Sequence, residues 1–300
     1  MNLQQLEHFL VLVETGSFSR AADKLHLSQP ALSRSIHALE DSLGGRLLER
    51  DKGKRLTALG ELAIVRARRI RVELGELRRS ASLLANYEGG TLRLALGPTP
   101  SAVLSVPLLR EMLERHPAVR LLFSGGTPQM QVQELRDGAV DALVLHRNHV
   151  PAAPDLQLTH FPPTPLGFVV RAGHPLAGVR ALDFDTLRRY PVAASGRAMS
   201  AETMHRLDAY FGPHAHFAEA IRYQSDHIAS LVELVRTTDA VFFGVLQVAR
   251  PLMNLGELVH LAIKPALGLH SQFVFVTLEG KSLPPAMLRL RELCAQFLAR

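Results

Sequence analysis

Gln29, Pro30, Ser33, Arg34 and His37 are the side chains of this sequence whose types and spacing best suit contact with nucleic-acid bases. Leu32, Ile36, Leu39 and Leu43 recur at i, i+4, i+7 and i+11, so a helix here has one apolar stripe to bury. The opposite face carries Pro30, Arg34 and His37, with Gln29 and Ser33 on its flank. Arginine pairs bidentately with guanine and glutamine with adenine, serine bonds either, and a proline ring can touch a thymine methyl. A solvated surface face has the same polarity, so the neighbouring residues decide between the two readings. They include Arg46, Arg50, Lys52, Lys54 and Arg55 around Gly53, a short basic hairpin whose tip can reach phosphate or a minor groove.

Enzymatic constellations are incomplete by comparison. Gly280-Lys281-Ser282 follows a strand pattern, but Phe275 stands where a phosphate-binding loop needs its first glycine. Ala193-Ala194-Ser195-Gly196 lacks the first glycine of a nucleophile elbow. His146 with His149 and His214 with His216 invite a metal reading, yet no cysteine cluster or His-Glu-x-x-His pattern completes a ligand set. The expectation is a protein that is not an enzyme, with no catalytic residues, no metal and no cofactor.

The elements that must position the base-reading set can be read on either side of it. Ser19 is placed to cap a helix carrying Ala21, Ala22 and Leu25. Ser28 caps the next, with Pro30 in a first turn where a missing N–H is harmless. His26 to Ser28 make the turn between them, and the basic hairpin follows Gly44-Gly45. This is the order of a winged helix-turn-helix. From Thr57 to Tyr87 there is no proline, and Ala63, Ala67, Ile70, Leu74, Leu77, Ala81 and Leu84 alternate steps of four and three. That heptad seam predicts a long helix pairing with another, with Ile70, Leu74, Leu77 and Leu84 as dimerisation residues.

Beyond Gly90, strands and helices alternate, which argues for parallel sheets. Strands are expected at Thr91 to Leu96, Val119 to Ser124, Ala142 to His146, Leu166 to Val170, Tyr190 to Ala194, Ala240 to Val245 and Ser271 to Leu278. The proline-rich stretch Pro151 to Pro165 reads as a crossover between two lobes, with a return after Pro265.

Residues 1 to about 60 resemble the DNA-binding domain of the LysR-type transcriptional regulators. The match runs through Phe9, Gly16-Ser17-Phe18, Ala21-Ala22, Leu25, Ser28-Gln29-Pro30-Ala31-Leu32-Ser33, Ile36, Leu39-Glu40, Leu43-Gly44, Leu47, Arg50, Leu56-Thr57 and Gly60. Leu48, where the family commonly has Phe, and Gly45 depart from the pattern. The resemblance implies an α/β protein with an N-terminal winged helix-turn-helix (1–58), a linker and dimerisation helix (59–89) and a two-lobed, periplasmic-binding-protein-like effector domain (90–300). Lobe I would comprise 90–163 and 266–300, and lobe II 164–265. Double-stranded DNA bearing an interrupted inverted repeat, a small organic acid or similar effector, RNA polymerase and further copies of the chain, as homodimer or homotetramer, are the implied partners.

In such folds ligands lie at the carboxyl ends of strands, where helix N-termini point. Gly97-Pro98-Thr99-Pro100-Ser101 and Gly125-Gly126-Thr127-Pro128 occupy such ends. Thr99, Ser101 and Thr127 match family positions that contact effectors, His146 ends a strand, and Ser195 is the second-lobe candidate. Each also fits a helix cap serving its own backbone. Arg236 to Gly244 stands where relatives have a glycine-rich turn, suggesting a bulkier or more polar cleft floor.

Composition agrees with a two-module reader of a polyanion. The 300 residues carry a net charge of +6 and are 47% hydrophobic. From Arg46 to Arg79 there are 11 basic against 5 acidic residues, so charge is densest around hairpin and linker. The opening MNLQQLEHFLVLVETG reads as a helix and not a signal peptide, and no stretch approaches a membrane span, so a cytoplasmic protein is expected. The single cysteine, Cys294, excludes an intrachain disulfide.

Overall fold

A computed structural model describes residues 1–49, 55–85, 90–196, 200–212 and 214–299, with backbone alone along Glu76 and residues 78–85. The described residues fall in two compact units divided near residue 88.

The first unit is helical. Helix α1 (Leu3–Thr15) opens with a reciprocal cap, Asn2 and Gln5 each accepting the other's backbone N–H at 2.9 Å, and closes at Gly16 in the left-handed region. Helix α2 (Phe18–Leu25) starts after Ser17; Ser19 lies inside it, so the expected Ser19 cap is displaced by two residues, and Ser17 makes no side-chain cap bond. The turn at His26 adopts φ 56°. Helix α3 (Gln29–Leu43) begins at Ser28, whose hydroxyl accepts the Ala31 N–H, and ends at Gly44, φ 73°. Leu32, Ile36 and Leu39 pack against Phe9, Leu10 and Leu12 of α1 and Ala21 and Ala22 of α2, as the i, i+4, i+7 stripe requires.

An antiparallel bridge, Leu48 with Leu56, forms the root of the hairpin, and helix α4 (Ala58–Ala85) follows. At about 1.5 Å per residue α4 spans about 42 Å. Its first turns belong to the core of this unit: Ile64 and Ala67 are buried and Ala63 packs beside them. The seam is therefore split. Ala63 and Ala67 serve their own domain, whereas Ile70 and Leu77 face solvent, joined by Leu62 and Val65, which the heptad pattern missed. Leu74 is half-buried, and the Leu84 side chain lies outside the described residues.

The second unit contains two sheets. In the first, β1 (Thr91–Leu96) pairs in parallel with β2 (Arg120–Ser124) and β3 (Ala142–His146). Helices α5 (Pro98–Arg115) and α6 (Pro128–Arg136) are the connections expected of βαβ units. Strand β4 (Leu156–His160) completes this sheet beyond a strand from the far end of the sequence; the proline-flanked stretch read as crossover thus contains a strand. The second sheet is built from β5 (Thr164–Arg171), β6 (Val192–Ala194), β7 (Ile221–Gln224), β8 (Val241–Val245), β9 (Leu258–His260) and β10 (His270–Ser271). Helices α7 (Phe184–Leu187), α8 (Ala201–Phe211), α9 (Phe217–Ala220), α10 (Ile228–Thr237) and α11 (Arg250–Asn254) intervene. The return strand β11 (Phe273–Leu278) inserts between β3 and β4, and α12 (Pro285–Ala299) packs against α5. Because β10 pairs with β5, the second lobe extends to Ser271, six residues past the boundary expected at Pro265.

Apolar side chains from both lobes form one continuous core, including Leu94, Phe168, Phe217, Phe243 and Phe275. Cys294 is part of it, and burial pushes its thiol pKa up to about 12, an inert packing residue.

Candidate functional site

On α3, Gln29, Pro30, Arg34 and His37 are exposed and Ser33 is half-buried, so one surface carries the set expected to face DNA. Ser28 fixes where this helix begins, and the apolar stripe fixes which face turns outward. His37 is 65% exposed, with Nδ1 3.2 Å from a carboxylate oxygen of Glu40. The other Glu40 oxygen accepts the Leu47 N–H at 2.8 Å. Glu40 thus joins the exposed helix face to the root of the hairpin, a role the sequence reading did not assign; its position three residues after His37 was the available signal. Arg50, Lys52 and Lys54 lie outside the described residues.

The hairpin root is held by dense local bonding. Thr57 N–H donates to the Leu47 carbonyl at 3.0 Å, the Thr57 hydroxyl donates to the Arg46 carbonyl, and the same hydroxyl accepts the Gly60 N–H at 3.0 Å, capping α4. Gly60 is packed so closely on the Leu47 backbone that a Cβ would overlap the carbonyl oxygen.

In the second unit, the carboxyl ends of β1, β3 and β6 converge on a cleft open to solvent. It is lined by Gly97, Pro98, Thr99, Pro100, His146, His149, Ser195, Ser271 and Phe273. Three expected residues, Thr99, His146 and Ser195, therefore meet there. Ser101 and Thr127 do not line it. The Ser101 hydroxyl bonds that of Ser105, and Thr127 caps α6 by accepting the Met130 N–H at 3.3 Å. His149, Ser271 and Phe273 are not among the expected cleft residues; the last two arrive on β10 and β11, more than a hundred residues after His146, for which no local pattern exists.

The cleft combines hydroxyls with neutral imidazole. His146 Nδ1 accepts the Asn148 N–H at 3.2 Å, which leaves Nε2 as the proton-bearing nitrogen. Burial, and secondarily His149 with its ring 5.5 Å away, push the His146 pKa down to about 4. The Phe273 ring stands nearly perpendicular to that of His146, with centroids 5.8 Å apart. Ser195 is 4% exposed and its hydroxyl finds no partner among the described residues. At the start of α5, Pro98 and Pro100 carry no N–H and Ser101 donates to Gly97, so Thr99 supplies the only unspent backbone donor of that turn. The site therefore rests on side-chain hydroxyls more than on a nest of backbone amides.

The turn at Thr237–Ala240 does not form the floor of this cleft. Val192 and Val241 align at the starts of parallel strands β6 and β8, so the turn lies at the end of the sheet opposite Ser195. There the Thr237 and Thr238 hydroxyls donate to the Glu233 and Leu234 carbonyls, and Asp239 pairs with Arg171 at 2.7 Å.

Comparison with known proteins decides the family. Residues 3–61 match the bacterial regulatory helix-turn-helix protein of the lysR family, and residues 85–299 match the LysR substrate binding domain. The chain belongs to the LysR family of transcriptional regulators. It is 36% identical over 298 residues to the SDS degradation transcriptional activation protein of a Pseudomonas species, covering 97% of this chain and 95% of that one. Among solved structures, the LysR-family regulator CbnR is similar over 99% of both chains (TM-score 0.60, 24% identity). A full-length OxyR of Pseudomonas aeruginosa is similar over 99% of this chain and 94% of that one (TM-score 0.63, 20% identity). These relatives are regulators and not enzymes, and this LysR-family chain is a DNA-binding regulator with a substrate-binding domain. Among the described residues no group of three or more potential metal ligands occurs, and no helix is long and apolar enough to cross a membrane.

Proposed function

We propose that this regulator grips an interrupted inverted repeat in double-stranded DNA as a homodimer or homotetramer, and that a small organic acid or similar metabolite in the cleft changes the spacing or angle of its reading heads. The convergence of Thr99, His146 and the unpartnered Ser195 hydroxyl at three strand ends carries the effector reading. A buried hydroxyl without a partner costs about 1–3 kcal/mol, which a bound ligand recovers. Exposed apolar side chains at Leu62, Val65, Ile70 and Leu77 support self-association through α4. We place the protein in the cytoplasm, with RNA polymerase among its partners, as control of transcription at a bacterial promoter requires.

Coupling of the two sites is reciprocal: an effector that alters DNA binding must itself be bound differently in the DNA complex. The test is footprinting on the DNA upstream of the protein's own gene, at varied salt, with small acids added singly. Protection of two symmetric half-sites that shifts with one compound is expected; an effector that binds the cleft and leaves footprint, bend and transcription unchanged defeats the scheme. Arg34→Ala should weaken specific binding by about 1–3 kcal/mol per site, measured by fluorescence anisotropy, if Arg34 reads a base. An equal loss on random duplex would make it a phosphate anchor.

A further inference from the structure

Glu40 is 9% exposed, between the base-reading helix and the hairpin root, and both its oxygens are engaged. An ionised carboxylate only accepts hydrogen bonds, so His37 Nδ1, 3.2 Å from it, is the nitrogen that carries the proton. In a neutral His37 the other nitrogen, Nε2, is then an acceptor. Phosphate oxygens and the N7 and O6 of guanine are acceptors too. Two acceptors do not bond, so His37 engages them only with a second proton on Nε2.

We infer that Glu40 is a positioning residue that fixes the His37 tautomer and turns the ring toward a hydrogen-bond acceptor on DNA, so that each reading head takes up one proton as it docks. This rests on the reading of α3 as the DNA-facing helix. The proton comes from solvent onto Nε2, which donates to the DNA acceptor while Nδ1–H stays on Glu40; only hydrogen bonds form. Among the described residues, the elements packed around the pair bring further charged groups. On α3, Arg34 and Asp41 stand one turn to either side of His37, and the segment packed on Glu40 brings Arg46. Helix α2 offers Arg20, Asp23 and Lys24. Helix α1 offers His8, whose Nδ1 lies 2.7 Å from the Ser35 hydroxyl and whose pKa burial lowers.

The experiment is fluorescence anisotropy of the full-length protein between pH 6 and 8 at constant salt, on two labelled duplexes: the DNA upstream of its own gene and a random sequence of equal length. Wild-type affinity should fall with rising pH by up to about tenfold per unit for each head bound, the slope of one linked proton. His37→Ala, a surface change, should remove that slope. Glu40→Gln is the sharper variant. Its amide oxygen still accepts the Leu47 N–H, and its NH2 now donates to Nδ1, moving the ring proton to Nε2 so that no added proton is needed. Glu40→Gln should therefore flatten the pH profile while keeping affinity at pH 8, whereas a merely structural Glu40 would lower affinity by one factor at every pH with the slope intact. Equal slopes in wild type and His37→Ala, or an unchanged slope in Glu40→Gln, overturn the inference. A His37-dependent slope on both duplexes identifies phosphate as the acceptor; one confined to the gene's own DNA identifies a purine edge. Failure to bind either duplex at low salt defeats the DNA reading and the inference with it.

Discussion

Ser195 separates binding from folding in a single side chain. Its hydroxyl is buried and has no partner among the described residues, so an unsatisfied polar group lines the cleft. Ser195→Ala removes that cost. The variant should match or exceed wild-type thermal stability by up to about 1 kcal/mol in calorimetry, while losing the effector-dependent shift of the footprint. A destabilised variant would mean that the hydroxyl has a partner within the protein. The two prolines opening α5 act in the same direction, since they remove backbone donors and leave Thr99 and Ser195 to do more of the recognition. The placement of Thr99, His146 and Ser195 around one cleft is legible in the sequence because each sits where a strand runs out, a position that hydropathy patterns mark. Ser101 and Thr127 sit at the same kind of position and bond locally instead, Thr127 as the cap of α6 and Ser101 to the Ser105 hydroxyl one turn on.

Elements differ in how openly they declare themselves. The helices of the first unit are written locally, in caps at Asn2 and Ser28 and in left-handed glycines at Gly16 and Gly44, so their limits follow from near neighbours. Helix α4 is legible in its existence and not in its contacts, since a heptad pattern does not say which partner fills it. Its first turns pack on α1 and on the hairpin root, where Gly60 lies against the Leu47 backbone. Gly60→Ala forces a methyl onto the Leu47 carbonyl and should destabilise the first unit by about 1–3 kcal/mol in urea unfolding, despite the better helix propensity of alanine. Further along, Leu77 is 66% exposed. Leu77→Asp should weaken self-association at least tenfold in sedimentation velocity, with chain stability changed by no more than about 0.5 kcal/mol. Unaltered association would place the contact elsewhere. Strand β4 escaped notice because flanking prolines break the alternation that betrays a strand, and its pairing partner lies over a hundred residues away.

Across the whole molecule, acid should loosen the fold through its histidines. Burial holds the pKa values of His8, His146, His174 and His260 below the ordinary imidazole value. His174 is the most enclosed, its Nδ1 accepting the Leu176 N–H, its Nε2 bonded to the Asp239 carbonyl and its ring against Tyr190. A group whose folded pKa is depressed binds protons more readily in the unfolded chain, so this stability is intact above about pH 6.5 and drains away as pH falls toward the folded values, about 4 for His146. The thermal midpoint should hold steady from pH 8 to 7 and decline from 6.5 downward; a midpoint that rose on acidification would contradict it. The two-lobed plan itself was legible as an alternation of strand and helix, yet which strand closes which sheet was not, because parallel and returning strands look alike along a sequence.

That closure sets an order of events during synthesis. Strand β11, residues 273–278, is the piece that joins β3 to β4, so the first sheet keeps two unpaired edges facing each other until the ribosome has passed residue 278. The reading head and every strand of the second lobe emerge earlier. A nascent chain therefore owns a DNA reader before it owns a sensor, and premature termination before residue 278 leaves bare strand edges for proteases and chaperones to find, in place of a regulator locked in one state.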